Sequence, residues 1–519
     1  MTSHGGGRLD VLVAGAGPTG LTLALSAHDH GARVRIVDRR PDECRHSRAF
    51  LVQPRTLEVL RPYGIAEDLV VHAAPARVHL HLHGRCLPVD AGRLRLPRTA
   101  FPRFLLVRQG EVELFLRRAL RARGVEVEWG TNLHSIRTGD DGVVGVGTRD
   151  GCPTRIGSRF LAGCDGTAST VRRAAGISWN GAAYPQKILL ADIELDGDLH
   201  PGVAHIAIHR RGVLFLLPLG DVARWRVVTA QQPNRSPASG ERRFVQQLLD
   251  EAQLPADVTE VAWSEWVQIE HRLASRYQSG PIFLAGDAAH TCSPAGGQGM
   301  NTGIQDAANL GWKLAYSAAG RTQDVSALLR SYEQERRPVG RHVVSLSDAL
   351  FRAEAGPDPV CSLVRHAFSR AGAPLVPPLL RAPLLSAPAL RVLAQFDRRY
   401  RHSPLSIGTA GTGRTMDHWI VTRPAAPGTR IPDDEVTVDG APRRLQELTA
   451  TPAVHVLLHR DTRWQAPGRA GHRLRIHRIG SWPGTGIAIV RPDGYVGFRS
   501  TTGTAGAVEW LEMIGALPG

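Results

Sequence analysis

The sequence predicts a mixed α/β and α+β protein, in which a parallel-sheet core is interrupted by a β-rich insert and followed by a compact α/β tail. Three observations carry that prediction. Near the start an apolar run, Leu9 to Ala14, ends in Gly15-Ala16-Gly17-Pro18-Thr19-Gly20, and Leu21 to His30 follows at helical spacing until Gly31 stops it. Further on, Pro281 to Ala285 is a second short apolar strand, ended by Gly286-Asp287. Pro294-Ala295-Gly296-Gly297-Gln298-Gly299 then opens directly into a helix. Between the two stretches lie several β-runs and few helices, the pattern of a sheet inserted into another domain.

Composition removes several classes of function. At 519 residues the chain has room for two or three domains, and 42% apolar with 21% charged residues is ordinary for a globular protein. The formal net charge of +15 suggests nucleic acid, yet Lys187 and Lys313 are the only lysines among 63 basic residues. The arginines are scattered, and the densest runs (Arg242-Arg243, Arg336-Arg337, Arg398-Arg399) have no interleaved aromatics, so no nucleic-acid partner is expected. Such a field suits steering of an anionic substrate or of nicotinamide phosphates. Six cysteines show neither CxxC spacing nor a nearby histidine pattern, which supports neither a metal site nor a disulfide framework. With no charged-then-apolar leader and no run of about 18 apolar residues, a soluble cytoplasmic protein without a membrane partner is expected.

The first glycine cluster has the full strand–turn–helix–strand context of a Rossmann-like unit. Gly15 permits the turn, Gly17 lets a pyrophosphate approach the backbone, and Gly20 allows the helix to pack on the strand. The next strand, Arg33 to Val37, finishes at Asp38, close to the roughly 20-residue spacing of a ribose-binding acid. These features alone do not separate FAD from NAD, and Arg39-Arg40 also suits a 2′-phosphate. In the second cluster, Asp287 can hold a sugar-like hydroxyl at a strand's carboxyl end, and the glycine loop can present backbone N–H groups to a flat or anionic ligand. Met300, Ile304, Ala307, Ala308, Leu310, Gly311 and Leu314 recur at helical spacing, so Gly299 to Thr302 form the positive end of a helix.

The remaining elements follow in order. A loop leads from Cys44 into a helix with Leu57 and Leu60 on its apolar face. Arg77 to Pro102 alternates as strands, and a helix spans Glu111 to Arg123. Val125 to Trp129, Leu133 to Arg137 and Val143 to Thr148 read as a meander turning at Gly139-Asp140-Asp141-Gly142. Four more β-runs (Ile188 to Leu195, Val203 to His209, Val213 to Leu217, Trp225 to Thr229) precede a helix from Glu241 to Glu251. After a helix in Leu328 to His342, the stretch Ala353 to Ser403 reads as a connector of short helical pieces broken by Pro374, Pro377, Pro378, Pro383 and Pro388. Strands at Val454 to Leu458, Arg473 to Ile479 and Ile487 to Val490, with a helix from Ala507 to Ile514, make the tail.

The run from Ser279 to Ala315 resembles the second FAD-binding segment of the class A flavoprotein monooxygenases, the para-hydroxybenzoate hydroxylase and phenol hydroxylase family. The N-terminal fingerprint, the segment RHSRAFLVQPRTLEVLRPYGIAEDL, and Phe160 to Arg172 with its Asp165-Gly166 are similar to that family's motifs in the same order. The resemblance decides for FAD and implies roles. Gly15, Ala16, Gly17, Pro18, Thr19, Gly20, Asp38 and Arg39 would hold the ADP half, and Arg48 and Gln109 would lie near the flavin. Asp165 and Gly166 would touch FAD and a passing nicotinamide. Asp287 would bind the ribitol chain, Pro294 would lie beside the ring, Gly297, Gln298, Gly299, Met300 and Asn301 would face the pyrimidine end, and Gly286 and Gly296 belong to the same cofactor-binding set. Bland readings stand beside these: a surface arginine for Arg48, a helix cap for Gln109, an ordinary turn for Asp165-Gly166, and a structural hydrogen bond for His290. Pro281 departs from the arginine common before the GD strand.

The implied activity is a monooxygenase that takes NADPH or NADH as a transient co-substrate, consumes O₂, and hydroxylates an aromatic ring through a flavin C4a-hydroperoxide. No catalytic acid or base is assigned. The implied domains are a FAD-binding domain (1–76, 103–177 and 273–403), a substrate-binding sheet domain (77–102 and 178–272) and a thioredoxin-like tail (404–519). No cysteine lies beyond Cys361, so the tail is expected to serve packing or dimerisation, in a monomer or homodimer. Tail and arginine habit are similar to actinobacterial polyketide hydroxylases, implying a polycyclic polyketide, with a simple phenol still open. Baeyer–Villiger oxidation and a non-catalytic flavin-binding or antibiotic-sequestering protein remain alternatives. Halogenation is disfavoured, because Trp263-Ser264-Glu265-Trp266 lacks the WxWxIP spacing and neither lysine matches.

Overall fold

The computed structural model describes residues 8–43, 50–75, 77–89, 96–209, 212–219, 224–231, 240–356, 358–371, 374, 383–408, 426–465, 472–480, 486–500 and 503–517. Its first layer is a six-stranded sheet in the order Gln278–Ser279, Ile282–Leu284, Phe160–Gly163, Val11–Ala14, Val34–Val37, Val127–Glu128. Only the first pair is antiparallel. Val11–Ala14 is buried along its whole length, as a parallel strand covered on both faces must be. The Pro18–Asp29 helix begins with proline at its first turn, where a missing N–H costs nothing. It lies against the Gly299–Ala318 helix so closely that a Cβ on Gly311 would strike the Ser26 side chain.

Two expectations are corrected here. Val125 to Trp129 does not open the meander: Val127–Glu128 pairs in parallel with Ile36 and Val37 at the edge of the core sheet. The meander is instead Thr131–Gly139, Gly142–Arg149 and Cys152–Ser158, with its first turn at Gly139 to Gly142 as expected. The connector is also more helical than its prolines suggest. The helix expected to end near His342 runs from Val325 to Ala355 with Pro338 inside it, and Pro388 lies within the Pro383–Leu393 helix.

An eight-stranded sheet forms the second layer, in the order His290–Thr291, Ala256–Ala274, Trp179–Gly197, Arg224–Gln231, Gly212–Pro218, Ala204–His209, Val78–Leu82, Arg85–Val89. The 19-residue strand Ala256–Ala274 was not recognised from sequence, where only its Trp263, Trp266 and Arg272 stood out. One face of this sheet packs under the Glu241–Glu251 helix through Phe244, Val245, Leu248 and Leu249. The other carries Ile188, Leu190 and Ile269 against Ala295 of the glycine loop and Phe351 of the long helix.

The tail contains a five-stranded sheet, Ile407–Gly408, Val496–Ser500, Ile487–Val490, Val454–His459, Leu474–Ile479. A parallel pair followed by an antiparallel hairpin and the closing Ala507–Ile514 helix is the arrangement expected of a thioredoxin-like unit. This tail is anchored to the first layer by buried charge. Glu335 accepts from both Arg491 Nη atoms at 2.6 and 2.7 Å, from Lys313 Nζ at 2.8 Å and from Asn309 at 2.7 Å. Asp493 completes the cluster, accepting from Arg491 Nη2 at 2.6 Å.

Candidate functional site

The three fingerprint glycines differ in what surrounds them. Gly15 has φ +103°, and a Cβ there would meet the Cys164 carbonyl; at Gly20 it would collide with the Gly15 carbonyl oxygen. At Gly17 it would meet nothing within 4 Å. Space beside the loop is therefore kept open at the one glycine whose backbone is expected to face a pyrophosphate. Asp38, buried at the end of Val34–Val37, closes the loop: its Oδ2 accepts from Ala16 N at 2.6 Å and its Oδ1 from Arg40 N at 2.9 Å. Arg40, rather than the exposed Arg39, also grips this carboxylate with its guanidinium at 3.2 Å.

The second cluster is locked to the first by Thr19. Its side chain occupies the space that a Cβ on either Gly286 or Gly303 would need. Beneath it lies Asp306, fully buried on the Gly299–Ala318 helix, which accepts from Gly286 N at 3.2 Å, His290 Nε2 at 2.7 Å and Arg336 Nε at 2.7 Å. Burial opposes ionisation of Asp306, but Arg336 and His290 outweigh it and hold the carboxyl below the usual range. His290 is thus engaged in a buried hydrogen bond with Asp306. Asp287 alone is exposed between buried Gly286 and Ala288, so its carboxylate is presented where the strand ends.

In the glycine loop the side chains hold the backbone from behind. Gln298, fully buried, donates to the Gly296 and Leu393 carbonyls at 3.1 and 3.2 Å and accepts from Gln395 at 2.6 Å. Asn301 donates to Leu51 O and Gly297 O at 2.8 and 2.9 Å and accepts from Gln53 N and Thr56 Oγ1. Gly296 and Gly297 take φ of +75° and +61°, which side chains disfavour. The first-turn N–H groups of the Gly299–Ala318 helix have no intrahelical acceptor, so Gly299, Met300 and Asn301 offer donors at the positive end of the dipole. Pro294 is exposed beside them.

Other expected residues divide. Gln109 is the first residue of the Gln109–Arg121 helix but not its cap, which is Arg108, and its amide donates to Glu113 at 2.9 Å. Asp165 accepts from Ser169 Oγ, Thr170 N and Val171 N at 2.5 to 3.1 Å, capping the Thr170–Ala174 helix, while a Cβ on Gly166 would meet open space. Arg48 lies outside the described residues.

Further residues escaped the sequence reading. On the sheet face turned toward the loop, Arg226 makes a bidentate pair with Asp192 at 2.5 and 2.7 Å. Its guanidinium lies 5.0 Å from the Phe50 ring and 5.3 Å from that of Trp263. The signal was present as two oppositely charged residues on the apolar side of paired β-runs. No group of histidine, cysteine, aspartate or glutamate among the described residues is arranged to hold a metal, and no described helix is long and apolar enough to cross a membrane.

A dinucleotide fingerprint locked to a second glycine loop, with a sheet laid over that loop, makes a two-part site of the kind a dinucleotide cofactor spans. Residues 8–347 match the family model described as a FAD binding domain, and 424–514 match that of the aromatic-ring hydroxylase C-terminal domain. The chain belongs to this family of FAD-dependent aromatic hydroxylases. It is 34% identical to 6-methylpretetramide 4-monooxygenase of Streptomyces rimosus, over 98% of this chain and 94% of that one. Among solved structures, the OxyS anhydrotetracycline hydroxylase from Streptomyces rimosus superposes with a TM-score of 0.77 at 27% identity, covering 99% of this chain and all of that one. CabE, an aromatic hydroxylase from angucycline biosynthesis, gives 0.74 at 27% identity with the same coverage.

Proposed function

We propose that this monooxygenase hydroxylates a polycyclic aromatic polyketide, using NADPH or NADH and O₂ with FAD seated across the two glycine clusters. The observation that carries the FAD placement is the open space at Gly17 in a loop where Gly15 and Gly20 are tightly packed. The residues fit the cofactor end to end. Gly15 to Gly20 with Asp38 and Arg39 hold the ADP half, and Gly286-Asp287 holds the ribitol hydroxyls. Backbone N–H groups from Gly297 to Asn301 meet the pyrimidine, Pro294 and Gly296 lie at the ring, and Gln109, Asp165 and Gly166 complete its surroundings. The chemistry the flavin supplies when bound is transfer of reducing equivalents from the nicotinamide to O₂ and of one oxygen atom to the substrate ring.

The protein's part is to place and shield. The first turn of the Gly299–Ala318 helix favours negative charge at the pyrimidine end. Ile188, Leu190 and Val228 provide an apolar wall beside Ala295 that keeps water from the reacting ring. A polycyclic substrate is supported by the relatives, whose names specify pretetramide and anhydrotetracycline. The test is nicotinamide oxidation and O₂ uptake by the purified yellow protein with tetracyclic and angular polyketides, then with simple phenols, followed by product mass. Stimulated oxidation with one oxygen added as a phenol supports the proposal. A ring-expanded lactone would replace it with Baeyer–Villiger chemistry, and a colourless, inactive protein would sink it.

A further inference from the structure

The Pro383–Leu393 helix stops at a residue its backbone does not favour. Gln395 donates its N–H to Val392 O at 3.1 Å and Phe396 donates to Arg391 O at 2.9 Å, a Schellman pattern in which the position of Gln395 is usually glycine. Its φ is +57°, and of the six non-glycine residues with positive φ among the described residues it alone is buried. Ala394 and Phe396 on either side pack with Leu96 in one apolar cluster, so the backbone is held there apart from the Gln395 side chain. A disfavoured conformation kept at a buried position, with the permissive residue passed over, implies a role for the amide.

That amide completes a chain of three glutamines, each no more than 4% exposed. Gln305 Nε2 donates to Gln395 Oε1 at 2.8 Å, and Gln395 Nε2 donates to Gln298 Oε1 at 2.6 Å and to Thr302 Oγ1 at 2.9 Å. With its oxygen so engaged, Gln298 turns its own NH₂ toward the carbonyls of Gly296 and Leu393. Each amide is therefore oriented by the next one, in an interior where such bonds reinforce one another. The chain ends on the glycine loop. Gly296 and Gly297 have no Cβ to limit rotation, so hydrogen bonds must do so, and Gln298 supplies the one to Gly296 O. We propose that Gln395 is a positioning residue for the flavin: acting through Gln298, it keeps the Gly296 carbonyl turned into the protein and sets the Gly296-Gly297 segment for the ring. This inference rests on the placement of FAD along that loop.

Fluorescence titration of the full-length apoprotein with FAD, together with the visible spectrum of the bound flavin, tests this. Gln395→Met keeps the length of the side chain but removes its donor and acceptor. It should weaken FAD binding about tenfold and shift the bound spectrum toward that of free FAD. Gln395→Gly also removes the amide but relieves the backbone, and should weaken binding to a similar extent although its helix end is unstrained. Gln298→Met should reproduce the loss, and the double variant should be no weaker than the worse single one, because both residues act on Gly296 O by one route. Asp287→Ala, at a separate contact, should add to Gln395→Met in full. A Gln395→Gly protein with wild-type affinity and spectrum would make Gln395 a helix stop only and overturn the proposal, as would losses from Gln298→Met and Gln395→Met that add in full. If Asp287→Ala weakens binding and neither glutamine variant does, this inference fails while the flavin site stands. If none of these variants changes FAD affinity, the reading of the site fails with it.

Discussion

Gly17 and Gly20 lie one helical turn apart and should respond to the same substitution in opposite ways. Gly17→Ala places a methyl group in open space, so the apoprotein should keep its wild-type melting temperature and lose FAD. Gly20→Ala drives the methyl into the Gly15 carbonyl and should lower the yield of folded protein. A Gly17→Ala protein that purifies yellow would remove the pyrophosphate assignment. Asp287→Ala should weaken FAD binding about 10- to 100-fold, the loss of charge-assisted hydrogen bonds worth roughly 1.5–3 kcal/mol, measured by flavin fluorescence titration. The glycines were legible because a missing Cβ has a meaning that local sequence states. Asp306 and Arg40 were not: a carboxylate in a helix reads as a solvated face until partners 16 to 30 residues away, Gly286, His290 and Arg336, are brought to it.

Where the helices Gly299–Ala318 and Val325–Ala355 meet, Arg336→Met should strand the Asp306 charge in the interior and destabilise the protein by about 3 to 5 kcal/mol in urea unfolding. Adding Asp306→Asn should recover part of that loss, since the double change leaves no uncompensated charge. Asp306 also sets an acid limit. Its folded carboxyl titrates below the ordinary value of 3.8, so its contribution is fully present above that value. The contribution disappears as pH falls through the lower folded value, and urea midpoints at pH 5 and below should show it flattened in the double variant. Element types were largely readable from periodicity, and the Glu241–Glu251 and Ala507–Ile514 helices match their expected spans. Helix ends were not, because tertiary packing carries the Val325–Ala355 helix through Pro338, where local preference alone would stop it.

Across the molecule, the tail and the flavin layer share one buried charge cluster. Arg491→Met should leave Glu335 with only Lys313 as a cationic partner among the described residues and reduce both stability and FAD retention, seen as a lower melting temperature of the yellow form and more free flavin after gel filtration. A second whole-molecule effect is set by histidine. Burial holds His30, His81, His205 and His455 near 4, below the ordinary 6.5. Between those values the unfolded chain binds more protons, so stability should be full above pH 6.5 and decline as pH falls toward 4. Chemical denaturation from pH 7.5 to 4.5 checks this, and a flat profile would contradict it. The strand order of the core sheet has a consequence for biogenesis. Phe160–Gly163 receives its neighbour Ile282–Leu284 only after more than a hundred intervening residues, among them most of the eight-stranded sheet, have been synthesised. Until then a wholly apolar strand edge stands unpaired on the ribosome, which makes the nascent chain a natural client for chaperones and its unaided refolding slow.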